Sequence, residues 1–457
     1  MAFSRRDFGR LALGSGAAAA LGTVGLSTAT AQQSPDFRAI VTIFLYGGND
    51  GWNSLVPIDT RHATYASLRG PSLALAVDDL VRLGDTGYGM HPSLAPLKEI
   101  WDAGAMNWVL NVGTLVKPIT REIFWADPSS RPSNLSSHSH EQEHWQSMRP
   151  GSVHPDGVLG RMADGLPLTS AASPLISTNG DNLALMGRTA SPLILPLYTS
   201  FERVGWEPQN GDPVVQTRMR ALEAFAKGPH ESRVQELTSA TLDRSYAAAA
   251  LVNPILREAS TIDHHFEQEP GVFRDTQMSR QLRLIARSIA AASSLGHGKQ
   301  VFYAGQGDYD THANQVAGGR VLGAHADLLT DLAVNLRSFY RALRQLGLQD
   351  KVTVVTMSDF GRTYRGNGSA GSDHAWGNAL FAIGGALRPQ MIHGRYPSLN
   401  LAGDDSVENE GTFIPTISNE EYVGAVARWF GVQDMGYVFP NWSRWSTNGR
   451  GPVPMFA

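Results

Sequence analysis

The sequence predicts an α/β protein: a doubly wound, mostly parallel sheet sandwiched by helices. Three observations lead there. A continuous apolar or β-branched run at 39–46 and mostly apolar or β-branched runs of strand length at 108–112, 300–304 and 351–358 give the pattern of strands buried on both faces. Helical patterns lie between them, and strand–helix–strand alternation implies parallel pairing. Three of the runs end in glycine-containing turns that carry Asp, and ligands of open α/β sheets collect at the carboxyl ends of strands.

A chain of 457 residues is long enough for one large α/β domain or for two; a single domain over 32–457 is expected. With 42% hydrophobic and 18% charged residues, the composition is that of a globular protein. There is no cysteine, which excludes disulfides, thiolate catalysis and Cys-bound zinc. The net charge of −4 leaves no basic footprint for a nucleic-acid partner.

Residues 1–31 read as a targeting segment. Ser4-Arg5-Arg6-Asp7-Phe8 is a twin-arginine pattern, a weakly apolar stretch runs over 11–26, and Ala29-Thr30-Ala31 offers a small-residue cleavage site. Such signals are receptor-read addresses in bacteria. The expectation is a periplasmic or secreted protein, with the twin-arginine translocase as its partner during export and no membrane span after cleavage.

Along the chain, the first strand (39–46) ends in Gly47-Gly48-Asn49-Asp50-Gly51, where glycines let the backbone turn sharply and expose Asp50. A helix over 92–101 starts with Pro at its first turn, and a strand follows at 108–112. A polar loop then leads into Ser137-His138-Ser139-His140-Glu141-Gln142-Glu143-His144. Ser136 or Ser137 suits an N-cap, where the helix dipole favours an anion or a developing alkoxide. A short helix is expected at 156–166 and β structure with turns at 174–197. Residues 199–295 read as a helical layer or insertion covering the sheet. The strand at 300–304 runs into Gly305-Gln306-Gly307-Asp308-Tyr309-Asp310-Thr311-His312. A long amphipathic helix (321–346) returns to the strand at 351–358, which ends at Asp359; a glycine-containing loop then delivers Asp373-His374. A strand at 380–383 and a helix at 420–430 complete the pattern.

Three strand ends thus carry the same side chains: Asp50; Asp308 or Asp310 with His312; and Asp359 with Asp373 and His374. Oxygen and imidazole donors without thiolate suit zinc, manganese, magnesium or calcium. Two such ions would clamp a phosphate or sulfate ester, and a polysaccharide or small-molecule ester fits that chemistry. A rival motif is His140-Glu141-Gln142-Glu143-His144, a match to H-E-x-x-H, which sets two His on one helix face with Glu as base of a zinc protease. Its third ligand would come from His154, Asp156 or Asp164.

These residues resemble the bacterial family labelled domain of unknown function 1501. The matching pieces are Leu45 to Gly51, Ser137-His138 with Gln142 and Trp145, 157–164, Asp310-Thr311-His312, Ser358 to Thr363, and Gly371 to His374. The resemblance implies an alkaline phosphatase- and sulfatase-like sandwich with metals at the strand ends. It implies one site with Asp50 and Asp359 and a second with Asp310, His312 and His374. Asp308, four residues before His312, competes with Asp310 as ligand. Ser137 takes the nucleophile position, and His138 beside it serves as acid or base. Sulfatases and phosphatases show Ser-Asp-His-Gly where this chain has Ser358-Asp359-Phe360-Gly361. Phe360 cannot coordinate, so one site loses an imidazole. A non-catalytic binding or assembly factor on the same scaffold is therefore the alternative to a hydrolase.

Overall fold

A computed structural model of the chain describes residues 34–151, 154–201, 211–228, 230, 232–267, 276–447 and 449–457. The twin-arginine pattern and cleavage site expected within 1–31 lie outside the described residues.

The strands are β1 Arg38–Leu45, β2 Leu55–Pro57, β3 Val81–Arg82, β4 Tyr88–Met90, β5 Met106–Gly113, β6 Leu175–Ser177, β7 Leu193–Ile194, β8 Lys299–Gln306, β9 Val352–Ser358, β10 Asn378–Ile383, β11 Ile392–Gly394 and β12 Ile417–Ser418. The principal helices are α1 Gly51–Ser54, α2 His62–Leu73, α3 Arg121–Ala126, α4 His138–Ser147, α5 Val158–Asp164, α6 Pro213–Lys227, α7 Arg233–Arg257, α8 Gln277–Ala290, α9 Ala324–Gln345 and α10 Asn419–Phe430.

Nine strands form one sheet in the order β11-β5-β10-β9-β1-β8-β6-β7, with β12 also paired to β5. All its pairings are parallel except those of β10, which is antiparallel to both β5 and β9. The sheet is therefore mostly parallel and mixed. Strands β2, β4 and β3 make a separate antiparallel sheet.

The pleat of β1 explains the sandwich. Ala39, Val41, Ile43 and Leu45 join one core with Leu282 and Ile285 of α8 and Leu332 and Phe339 of α9. Ile40 and Phe44 join the opposite core with Leu159 of α5 and Tyr422 and Val426 of α10. Successive side chains point to opposite faces, so a strand covered by helices on both sides must be apolar throughout. That is why β1 reads as an unbroken run and β8 and β9 as mostly apolar or β-branched ones.

The stretch expected as one helical layer divides in two. Helix α8 lies in the core, with Leu282, Ile285 and Ile289 fully buried. Helices α6 and α7 pack against each other and leave Val214, Leu222, Leu237 and Leu251 exposed. Helix α10 starts in a capping box between Ser418 and Glu421 and ends at Gly431 in the left-handed conformation, both standard terminus devices.

The first turn of α10 also holds a buried carboxyl. Glu420 is fully buried and accepts a 3.2 Å hydrogen bond from Asn441. Desolvation dominates, and the partners that oppose it, Asn441 and Trp445 first, leave its pKa pushed up to about 8. The folded protein therefore holds a proton that the unfolded chain releases at lower pH. Stability is then fully present below the ordinary carboxyl range and declines as pH rises toward 8. Glu420→Gln is expected to leave the urea midpoint nearly unchanged at pH 5. At pH 9 it should raise stability by on the order of 2–4 kcal/mol. Identical pH profiles for variant and parent would refute a neutral Glu420.

Candidate metal centre

Three parallel strands end level with one another. Leu45, the last residue of β1, pairs with Gln306 of β8 on one side and with Ser358 of β9 on the other. The loops that follow are tied together by Arg362, whose side chain is fully buried. Its Nε donates to the Gly48 carbonyl (2.8 Å), Nη1 to Ser372 (3.0 Å), and Nη2 to the carbonyls of Tyr309 (3.0 Å) and Gly47 and to Asp310 Oδ1 (2.6 Å). Gly47 and Gly48 have φ of 108° and 84°. A Cβ there would collide with the Tyr309–Asp310 backbone and with the Phe360 ring respectively, so only glycine lets the loops close this far.

Three histidines surround Asp310. The Nε2 atoms of His138, His312 and His374 lie 3.4, 3.1 and 3.2 Å from its carboxylate oxygens. The Nε2 atoms of His312 and His374 are 2.9 Å apart. On the far side of each ring, Nδ1 faces an oxygen: Asp359 Oδ2 at 2.6 Å for His138, Asp373 Oδ1 at 2.7 Å for His312, and the Ser136 carbonyl at 2.8 Å for His374. Those oxygens accept, so each Nδ1 carries a proton, and whenever a ring is neutral its Nε2 lone pair is the atom turned toward Asp310. This is the outer-sphere pattern of metal-bound histidine. Donor atoms of His138, Asp310 and His374 all lie within 4.8 Å of one another.

Lone pairs facing a carboxylate require positive charge. Arg362 supplies part of it: burial pushes the Asp310 carboxyl up, but the hydrogen bond and charge of Arg362 win and hold its pKa at about 2. A proton on His138 is a second source, since its hydrogen bond to Asp359 raises the imidazole pKa against the effect of burial. His374 moves the other way, lowered mainly by burial. A divalent cation would be a third, and the donor types, two imidazoles and a carboxylate, fit one. Asp359 Oδ1, fully buried, has no hydrogen-bond partner among the described residues, and a buried carboxylate oxygen calls for a partner, of which an ion is one kind.

The expected site residues separate accordingly. Asp310, His312 and His374 lie together. Asp359 adjoins them through His138, and Gln142 donates to the same Asp359 oxygen at 2.9 Å. Asp373 orients His312 rather than facing Asp310. Asp308 is exposed with φ 70° and is not in the cluster. Asp50 is a correction. Its fully buried carboxylate pairs with Arg69 at 2.5 Å and accepts from Gln315 at 2.6 Å. Arg69 chiefly, with His325 and Gln315, outweighs desolvation and keeps the carboxyl below its ordinary value. A guanidinium thus neutralises Asp50 from inside the protein, and Asp50 is not among the residues gathered around Asp310.

Ser137 is the N-cap of α4, but its hydroxyl makes no capping bond. It meets His140 Nδ1 at 3.1 Å and Ser139 at 3.3 Å. His138 enters the cluster as a donor, not as a free acid or base beside the serine. The zinc-protease motif does not assemble. Glu141 is buried, accepts from Thr114 at 2.7 Å and faces His144 Nδ1 at 3.3 Å. Asp156 is held by Arg161, Arg149 and Arg188, and Asp164 by three backbone N–H groups and Tyr437.

Residues 121–420 match the family described as Protein of unknown function (DUF1501). The chain belongs to this family. No curated protein matches it. Among solved structures, Ps i-CgsB in complex with k-i-k-neocarrahexaose is 9% identical with a TM-score of 0.31, over 79% of this chain and 69% of that one. A Bacteroides thetaiotaomicron structure from work on multiple glycosaminoglycans (BT33336S-sulf) is 12% identical with a TM-score of 0.35, over 89% and 82%. The phosphonate monoester hydrolase SpPMH from Silicibacter pomeroyi is 10% identical with a TM-score of 0.29, over 79% and 70%. Likenesses of this strength carry no argument about activity, which has to come from the residues of this DUF1501 chain.

Two arginines of this DUF1501 chain have roles that sequence reasoning missed. Arg362 follows Asp359 by three positions and was visible as part of the Ser358 to Thr363 motif, but nothing in its spacing reveals five acceptors. Arg69 precedes the Gly70-Pro71 break in α2, where Gly70 has φ 70°; no local pattern joins it to Asp50. Removing one partner of a buried ion pair leaves the other charge uncompensated. Arg69→Met is expected to destabilise the protein by about 3–5 kcal/mol. Adding Asp50→Asn should restore most of that in urea unfolding. A double variant no more stable than Arg69→Met would contradict the pairing.

Proposed function

We propose that the protein is an exported ester hydrolase dependent on a single divalent cation, acting on a phosphate or sulfate ester. The observation that carries this reading is the convergence of three imidazole Nε2 atoms on Asp310, each ring fixed from behind by an oxygen. His138, Asp310 and His374 would hold the ion, with His312 alongside. When bound, it would supply Lewis acidity toward a phosphoryl or sulfuryl oxygen. A mostly nitrogen donor set favours zinc over calcium or magnesium.

The chain's own groups support the rest of the cycle. Ser137, between Ser136 and His138, lies beside two residues tied to the cluster. Its Oγ would form the bond to phosphorus or sulfur as the bond to the alcohol breaks, its proton passing by His140 Nδ1 to the leaving oxygen, and water would then hydrolyse the seryl ester and restore the serine. Asp359 and Gln142 hold His138, and Asp373 holds His312, so the donors are set before substrate arrives. Export rests on the twin-arginine leader. Among the described residues no helix is long and apolar enough to cross a membrane.

A second reading is a metal-binding factor without turnover. Phe360 favours it: its ring lies 4.5 Å from that of His374 and 4.9 Å from that of His138, filling space beside the donors.

Elemental analysis of the exported protein tests the first reading. About one equivalent of metal per chain is expected, lost in His374→Ala and kept in Asp308→Ala. Turnover of p-nitrophenyl phosphate or p-nitrophenyl sulfate should vanish on chelation and fall by at least about 100-fold in Ser137→Ala. Stoichiometric metal with no turnover of either ester would favour the second reading. Metal retained by His374→Ala would overturn both.

A further inference from the structure

A cleft of about 360 Å³ opens beside the cluster and reaches it through Ser136, whose carbonyl holds His374. One wall comes from α3. Phe124 is wedged against Trp376 with ring centroids 5.9 Å apart. Trp125 is 61% exposed, yet it is not loose: its indole N–H donates to the Val407 carbonyl at 3.2 Å, and its ring meets Phe124 edge-on at 5.2 Å. The guanidinium of Arg131 stacks 4.4 Å from the Phe124 ring and 5.9 Å from that of Trp125. Among the described residues no side-chain hydrogen bond or ion pair engages it, so its N–H groups are held in place and unspent. Asn134 and Thr412 add polar groups to the rim.

The indole of Trp125 is fixed by its neighbours while most of its surface stays open to a ligand. Its flat face suits the C–H face of a saccharide ring, and polar rim groups suit hydroxyls. Planar, stacked arginine with free donors suits a sulfate or phosphate group. Among the described residues lining the cleft, the one carboxylate, Glu408, accepts from Thr412 at 2.9 Å.

We propose that this cleft is a subsite for a saccharide bearing an additional sulfate or phosphate, with Trp125 stacking on the sugar ring and Arg131 binding the anionic group. The inference rests on the ester-hydrolase reading for the role of the cleft, but not for the binding itself. A multiply charged saccharide would place one ester at the cluster while the cleft holds the neighbouring charged unit. Exposed Trp125 and half-buried Arg131 can be replaced without opening the core.

The test measures binding by calorimetry in the presence of chelator, so it does not depend on turnover or metal. The probes are a dextran sulfate oligosaccharide, the unsulfated dextran oligosaccharide of the same length, and phenyl sulfate. The sulfated oligosaccharide should bind at least about tenfold more tightly than either of the others. Trp125→Ala and Arg131→Ala should each weaken it by about tenfold, with unchanged thermal unfolding. Asp308→Ala, at an exposed position outside the cluster, should bind it as the parent does. Equal binding of sulfated and unsulfated chains would overturn the role of Arg131. Phenyl sulfate binding as tightly as the oligosaccharide would overturn the sugar. Loss of metal and turnover with saccharide binding intact would overturn the hydrolase and leave the subsite standing.

Discussion

The buried guanidinium of Arg362 is the interaction on which the site depends. Three strands end in register, but their loops carry carbonyls and a carboxylate that would repel one another without a shared donor. Arg362 donates to the loop after β1 at Gly47 and Gly48, to the loop after β8 at Tyr309 and Asp310, and to Ser372 ahead of His374. Because its planar fork cannot lose its charge and has five N–H groups, one side chain can fix three loops. Lysine has neither the reach in several directions nor the geometry.

The same constraint sets the charge state. Arg362 and Arg69 together neutralise Asp310 and Asp50 from inside the protein. Arg69 closes the region around Asp50 to a cation, while Arg362 satisfies only one oxygen of Asp310. His312 and His374 approach the same Asp310 oxygen as Arg362, and His138 approaches the other. Their Nδ1 atoms are occupied from behind, and donor atoms of His138, Asp310 and His374 gather within 4.8 Å of one another. Phe360 bounds this cluster on one side, where its ring packs against two of the imidazoles. The cleft lined by Trp125 and Arg131 bounds it on another, through Ser136.

Much of the fold was legible because burial on both faces makes a strand read as a mostly apolar or β-branched run. The runs at 39–46, 300–304 and 351–358 lie within or across β1, β8 and β9, and glycines followed by Asp marked their ends. Asp310, His312 and His374 were legible for the same reason. Asp50 shared that signature and belongs elsewhere. Its partner Arg69 arrives from α2, and an ion pair between a turn and a helix leaves no periodic trace. His138 was read as an acid or base because it adjoins Ser137. What decides its place is the 2.6 Å contact with Asp359, made across 221 residues. The H-E-x-x-H match had the right letters in a helix, but Glu141 turns into the core toward Thr114. A spacing rule sees which face a residue occupies, not which face of the helix is buried.

X-ray absorption spectroscopy of the zinc-loaded protein tests the central claim most directly. A first shell of nitrogen and oxygen at about 2.0–2.1 Å is predicted, with the outer-shell scattering of two to three imidazoles. That scattering should shrink in His138→Ala and in His374→Ala, and persist when Asp50 and Arg69 are replaced together. A shell of oxygen alone, or one unchanged by loss of His374, would contradict an ion held by the histidines around Asp310.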